Sequence, residues 1–226
     1  AFAAGDGFVV VAPGGGPGAE PGVFEVPEGQ VAGLSWSPGS DWLLVRRTDG
    51  GAVLYLAAPL QRWVDLGALN GHTWLSDGRL AFAPEAGGLA VLTPGDAGSR
   101  AFVVPQDRYV TLPTERADGM LAFFSHSGSI SEPGFLHAAD PFELSFRVES
   151  NVAVETSGAV WEPGGARLLT YDGEEETLKI LDPLTGAQAE LPSTTPVQQV
   201  GWGAPLARRV AGLTLPADLY YLAPAG

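Results

Sequence analysis

The chain predicts an all-β fold of propeller type. The grounds are an aromatic-and-turn hairpin that recurs about every 40 residues, short apolar runs bounded by turn residues, and dispersed glycine and proline. Of 226 residues, 31 are Gly and 19 are Pro, while 45% are hydrophobic and 17% charged. That much apolar surface offsets chain entropy over most of the length, and Gly and Pro between the apolar runs make turns many and helices few. The expected architecture is one domain over residues 1–226, built of about six four-stranded blades with incomplete terminal units; five blades with an extension is the alternative.

The hairpin is read from four segments. Leu34-Ser35-Trp36-Ser37-Pro38-Gly39 precedes Trp42-Leu43-Leu44-Val45, and Val160-Trp161-Glu162-Pro163-Gly164-Gly165 precedes Arg167-Leu168-Leu169-Thr170. Thr73-Trp74-Leu75-Ser76-Asp77-Gly78 leads into Arg79-Leu80-Ala81-Phe82, and a degenerate copy, Arg116-Ala117-Asp118-Gly119, leads into Met120-Leu121-Ala122-Phe123. In each, a strand ends, Pro-Gly or Asp-Gly turns the chain, and a β-rich run follows. Trp36 and Trp74 stand 38 residues apart, Trp161 and Trp202 stand 41 apart, and the 87 between Trp74 and Trp161 hold two units.

A third strand ending near a proline follows each hairpin: Val53 to Leu56 before Pro59, Leu89 to Leu92 before Pro94, Leu178 to Leu181 before Pro183, and Leu219 to Leu222 before Pro224. Fourth strands are expected at Ala101 to Val104 and, after the turn Asp182-Pro183-Leu184-Thr185-Gly186, at Ala187 to Leu191. At the start, Ala1-Phe2-Ala3, Phe8 to Pro13 and Val23 to Pro27 match the back of a unit whose innermost strand is missing. At the end, Val197 to Trp202, Arg209 to Leu215 and Leu219 to Leu222 match the first three strands of a unit. Four whole units thus lie between two partial ones, whose exposed edges need pairing by ring closure or by a partner.

The aromatic-Ser-Pro-Gly hairpin and the Asp-Pro-x-Thr-Gly turn resemble the bacterial WD40-like repeat of TolB-type propellers, over nearly the whole chain. The Asp usual in Ser-Pro-Asp-Gly is replaced at Gly39 and Gly164, and Gly71-His72 is a single instance of the Gly-His pair of eukaryotic WD40 blades. The resemblance implies a non-catalytic propeller that binds a protein or other macromolecule across one rim, in the bacterial cell envelope.

Charge and composition exclude several classes. With 26 acidic against 12 basic residues the formal charge is −14, which repels phosphate backbones and argues against nucleic-acid binding. Zero Cys removes disulfides, thiolate metal sites and cysteine nucleophiles. No run of about 18 apolar residues offers membrane insertion, and no basic-then-apolar leader stands at Ala1. A start without Met fits a matured chain or a cloning boundary, and secretion, periplasmic or extracellular, is the expectation, with the cytoplasm as alternative.

Few side chains suggest chemistry. Among three histidines, His72 stands out because it lies two residues before Trp74 on an innermost strand, hence on the same face. The recurrent Trp36, Trp74, Trp161 and Trp202 read most simply as core between blades. Trp42 and Trp63 fall outside that register and are binding candidates with His72 and His126. The polar loop Ser125-His126-Ser127-Gly128-Ser129-Ile130-Ser131-Glu132 places Ser beside His, yet no Gly-x-Ser-x-Gly elbow or orienting acid accompanies it, so a surface loop is expected. Asp172-Gly173-Glu174-Glu175-Glu176 lacks the alternation of a calcium loop and reads as a solvated hairpin tip. Gly14-Gly15-Gly16-Pro17-Gly18 is no phosphate loop, and no dinucleotide or zinc signature is present, so no cofactor and no metal is expected.

The sequence therefore favours a protein-binding propeller. A second reading is a propeller hydrolase or lyase with a channel metal, for which Glu115, Asp118 and His72 are the polar residues near inner strands. A third is a structural domain of a larger assembly.

Overall fold

A computed structural model of the chain describes residues 2–4, 8–11, 22–25, 30–57, 60–143, 145–154, 159–162, 165–172, 177–182, 185–191, 199–202 and 219–222. Gly14 to Gly18 and the run Gly173 to Glu176 lie outside them. The described residues form strands almost throughout, joined by tight turns, with one short 3-10 turn at Ala97–Ser99. Among the described residues no helix is long and apolar enough to cross a membrane.

The chain divides into two compact units, Ala1–Asp107 and Arg108–Gly226. In the first, β1 (Phe2–Ala4), β2 (Phe8–Val11) and β3 (Gly22–Glu25) make an antiparallel sheet in that order. Next come β4 (Val31–Trp36), β5 (Trp42–Arg47), β6 (Gly51–Ala57), β7 (Leu60–Trp74), β8 (Leu80–Pro84), β9 (Leu89–Leu92) and β10 (Ala101–Val104). These are hydrogen-bonded in sequence order, and the 15-residue β7 belongs to two sheets at once. Its first part pairs with β6, from Ala57↔Leu60 to Gly51↔Ala68, and its second part pairs with β8, from Leu69↔Pro84 to Trp74↔Leu80. The partner changes where Gly67 takes φ 76° and a bulge shifts the register between Leu69 and Gly71. One uninterrupted strand therefore closes the sheet β4–β7 and opens the sheet β7–β10.

The second unit holds β11 (Tyr109–Glu115), β12 (Leu121–His126), β13 (Gly134–Asp140) and β14 (Ser145–Val154) in one antiparallel sheet. β15 (Val160–Trp161), β16 (Leu168–Asp172), β17 (Thr177–Leu181) and β18 (Gln188–Leu191) form another, and β19 (Gln199–Trp202) pairs with β20 (Leu219–Leu222). Each complete sheet is an in-order four-stranded meander, as a propeller blade requires. The last unit departs from the expected order. Residues 209–215 lie outside the described residues, and β20 itself, from Gln199↔Leu222 to Trp202↔Leu219, takes the place beside β19 intended for them.

The four hairpins are closed by the same kind of backbone bond, over four residues in the first and last and over three in the other two. Ser37 N–H donates to the Trp42 carbonyl, Leu75 to Arg79, Arg116 to Met120 and Glu162 to Arg167, at 2.8 to 2.9 Å. Three residues after the first donor of each turn the backbone is left-handed: Gly78 at φ 89°, Gly119 at 81° and Gly165 at 71°. In the first hairpin that conformation falls on Ser40, at φ 60°, rather than on Gly39. A side chain there meets the steric penalty that glycine avoids.

Side chains alternate along these strands, and Trp74 and Trp161 lock neighbouring sheets together. Between sheets β4–β7 and β7–β10 the core is Leu44, Ala52, Leu54, Leu66 and Leu69 against Leu80, Phe82, Ala90 and Leu92, with Trp74 packed on it. The Trp74 indole N–H donates to the Ser35 carbonyl on β4 at 3.3 Å. In the second unit Ala122, Phe124 and Leu136 meet Ala159, Leu168 and Leu181. There Trp161 donates to the Leu112 carbonyl on β11 at 2.9 Å, its ring 5.5 Å from that of Phe124. Leu112 has φ 49° within the β11 bulge between Thr111 and Thr114, a strained residue whose carbonyl serves as acceptor. The same device, an innermost-strand tryptophan donating to the innermost strand of the preceding sheet, thus occurs in both units.

Candidate functional site

Parity along β5 and β7 sets the geometry of the first candidate. Trp42, Leu44 and Arg46 share one face of β5, and His72 and Trp74 share one face of β7; both faces line the core between the two sheets. Arg46 and His72 thus approach each other at one end of that core. The Arg46 Nη2 donates to the Leu69 carbonyl at 3.3 Å, which carries the guanidinium to the bulge holding Asn70. Arg46 Nε, Asn70 Nδ2 and His72 Nδ1 are all buried, and none has a hydrogen-bond partner. Burial, reinforced by the Arg46 charge, pushes His72 down to about 4. Among the described residues Arg46 forms no ion pair.

The repeat shows how unusual this end is. Leu43 pairs with Trp36 and Leu121 with Glu115, so Arg46 on β5 corresponds to Phe124 on β12. Trp74 pairs with Leu80 and Trp161 with Leu168, so His72 corresponds to Ala159. Where the second unit places a fully buried phenylalanine against a buried alanine, the first places a guanidinium against an imidazole. Sequence reasoning singled out His72 and missed Arg46 and Asn70. Superposing the hairpins would have exposed Arg46, a charge at a position apolar in the sister copy.

The second candidate lies in the sheet β11–β14. Ser125 and His126 are the last residues of β12 and are buried, so the loop expected to begin at Ser125 is confined to residues 127–133. The adjacent Ser125 and His126 engage different partners. The His126 Nδ1 lies 2.6 Å from the Glu132 carbonyl, which only accepts, so Nδ1 carries a proton, and in the neutral ring Nε2 accepts from the Thr111 hydroxyl at 2.8 Å. The Ser125 hydroxyl contacts His137 Nε2 at 2.7 Å, and the His137 ring stacks on Phe123 at 5.6 Å. Burial, and then the Arg108 charge, lowers the pKa of His137. The Ser127 hydroxyl donates to the Glu132 carboxylate at 2.9 Å, so the loop is braced at both ends. Around it Tyr109, Ile130 and Phe135 are exposed, at 36%, 45% and 43%. Tyr109 pairs with His126 and Phe135 with Ser125, so all three sit at one end of this sheet.

The remaining candidates are placed as follows. Trp42 and Trp63 are half-buried, with ring centroids 5.1 Å apart in an edge arrangement, and both pack on the core of the first unit. Glu115 ends β11; Asp118 bonds the turn N–H of Met120 and pairs with Arg116 at 3.2 Å. Both belong to the second unit and His72 to the first. Among the described residues no group of three or more His, Asp or Glu side chains could hold a metal ion.

No protein-family model matches the chain, and no curated protein does. Solved structures do match. A chain of the mitotic checkpoint complex is 16% identical with a TM-score of 0.54, over 82% of this chain and 58% of its own. The Dos1 propeller is 15% identical with a TM-score of 0.52, over 76% and 50%. Virginiamycin B lyase from Staphylococcus aureus is 14% identical with a TM-score of 0.52, over 82% and 64%. This chain spans less than two thirds of each. With the antiparallel four-stranded sheets, the likeness gives the chain a β-propeller fold.

Proposed function

We propose that the chain is a non-catalytic, single-domain propeller of bacterial TolB type that binds a protein partner in the cell envelope, on the periplasmic or extracellular side. The contact surface in this reading is the end of the sheet β11–β14 that carries Tyr109, Ile130 and Phe135. One observation carries it: exposed aromatic side chains on β11 and β13 flank a loop that itself exposes Ile130 and that His126 and Ser127 hold in place. Large apolar side chains on strand ends and on a pre-ordered loop anchor protein interfaces, because little conformational entropy remains to be lost on binding. The fold by itself assigns no role, since propellers of similar structure include both an assembly component and a lyase.

The test compares the wild-type chain with the Tyr109→Ser/Phe135→Ser double variant as bait in the solubilised envelope fraction of the source, after circular dichroism shows that both fold. A protein retained by the wild type and lost by the variant supports the reading. Equal recovery by both, or no specific partner, overturns it.

A further inference from the structure

The Arg46 guanidinium and the His72 imidazole, at the end of the first unit's core, stand at positions that Phe124 and Ala159 fill in the second unit. The scaffold therefore packs well without polar groups there. A buried donor or acceptor left unpaired costs about 1–3 kcal/mol, so three unpartnered nitrogens at this end are a feature that packing alone disfavours. Departures from repeat logic of this kind concentrate at functional sites.

The atoms specify their complement. The unpartnered Arg46 Nε–H and Asn70 Nδ2 groups donate, His72 Nδ1 donates or accepts according to tautomer, and Arg46 brings a positive charge that forms no ion pair among the described residues. A guanidinium presents planar, paired N–H groups that match a carboxylate in shape and charge. The net charge of −14 disfavours larger polyanions, whereas a single carboxylate requires only the local field of Arg46. The three residues are half-buried, so a rotamer change of Arg46 or Asn70 brings the nitrogens to solvent.

We propose that Arg46, Asn70 and His72 form a carboxylate-binding site at this end of the core. It is independent of the Tyr109, Ile130 and Phe135 surface and stands or falls without it. The carboxylate comes either from a free organic acid or from an acidic side chain of a polypeptide, and the two sources share the chemistry.

The test uses the full chain with labelled histidines, His72 being assigned through His72→Gln, at neutral pH and constant ionic strength. The titrants are acetate, acetyl-Gly-Glu-Gly-amide, its Gln counterpart, chloride and inorganic phosphate. The expected result is a saturable shift of the His72 resonance with acetate and the Glu peptide, absent with the Gln peptide, while His126 and His137 stay still. Arg46→Leu should weaken binding at least tenfold. Arg46→Lys, which keeps the charge and loses the fork, should weaken it about fivefold and serves if Arg46→Leu does not fold. A Glu peptide at least tenfold tighter than acetate assigns the polypeptide source, and similar affinities assign the free acid. No saturable His72 shift, or an equal shift with chloride or phosphate, means an adventitious ion only and overturns the proposal.

Discussion

Acid should destabilise this protein through His72 in a window that the geometry defines. In the folded chain burial, and then Arg46, hold the imidazole neutral down to about pH 4, whereas its ordinary value is 6.5. The unfolded chain takes up a proton below about pH 6.5 and the folded chain does not, so unfolding becomes progressively easier as pH falls. The stabilising difference is complete above 6.5, declines between 6.5 and about 4, and changes no further below. A displacement of that size corresponds to about 3 kcal/mol when fully expressed, and about 2.5 kcal/mol separates pH 7.5 from pH 4.5. Against the 5–15 kcal/mol of a typical domain, that loss is large.

Other groups titrate in the same range. Burial and Arg108 lower His137 as well, and protonation of carboxylates relieves the repulsion of a chain at −14, so the wild-type profile alone would not isolate His72. The difference between wild type and His72→Gln does, because the variant keeps a polar side chain of similar size that cannot titrate. Urea unfolding should show nearly constant ΔΔG above about pH 7 and a relative gain for the variant of about 2.5 kcal/mol by pH 4.5. Arg46→Leu should retain most of the effect, since burial is the larger cause. Parallel curves for wild type and His72→Gln would refute the buried, Arg46-facing placement of His72.

Two further substitutions probe the repeat scaffold. Trp161→Phe keeps an aromatic ring against Phe124 but removes the donation to the Leu112 carbonyl together with part of the packed ring, so urea unfolding should show a loss of at least about 1–2 kcal/mol; an unchanged midpoint would mean that the indole does not tie the two sheets together. Ser40→Gly puts at the left-handed position of the first hairpin the residue its three sister turns use, and should raise stability by about 0.5–1 kcal/mol; a loss measured the same way would show that the Ser40 side chain contributes what φ 60° costs.

Whatever depends on local periodicity was readable from residues alone. The hairpins, the third strands and the core role of Trp74 and Trp161 follow from turn chemistry and alternation, because each is decided within about ten residues. Features set across space were not. That β7 runs unbroken through two sheets depends on a bulge at Asn70, and no residue pattern distinguishes it from two strands and a turn. The burial of Ser125 and His126 escaped notice because a polar run reads as a loop, although Thr111 on β11 and His137 on β13 supply partners that let β12 extend through it. The Glu132 carbonyl then holds the loop that follows.

The Arg46 and His72 end shows where the two kinds of information meet. Each residue sits correctly by parity on its own strand, so nothing local marks it as odd. Only their meeting across two sheets, together with the sister position filled by Phe124 and Ala159, turns two unremarkable polar residues into an exception. A repeat protein supplies its own control in this way, since each unit states what the scaffold needs at a position. A residue that breaks the statement requires another reason. If the carboxylate titration leaves His72 unmoved, that reason must lie inside the fold: Arg46→Leu and His72→Ala together, copying the apolar character of the sister core, should then destabilise the chain rather than leave it as stable as before.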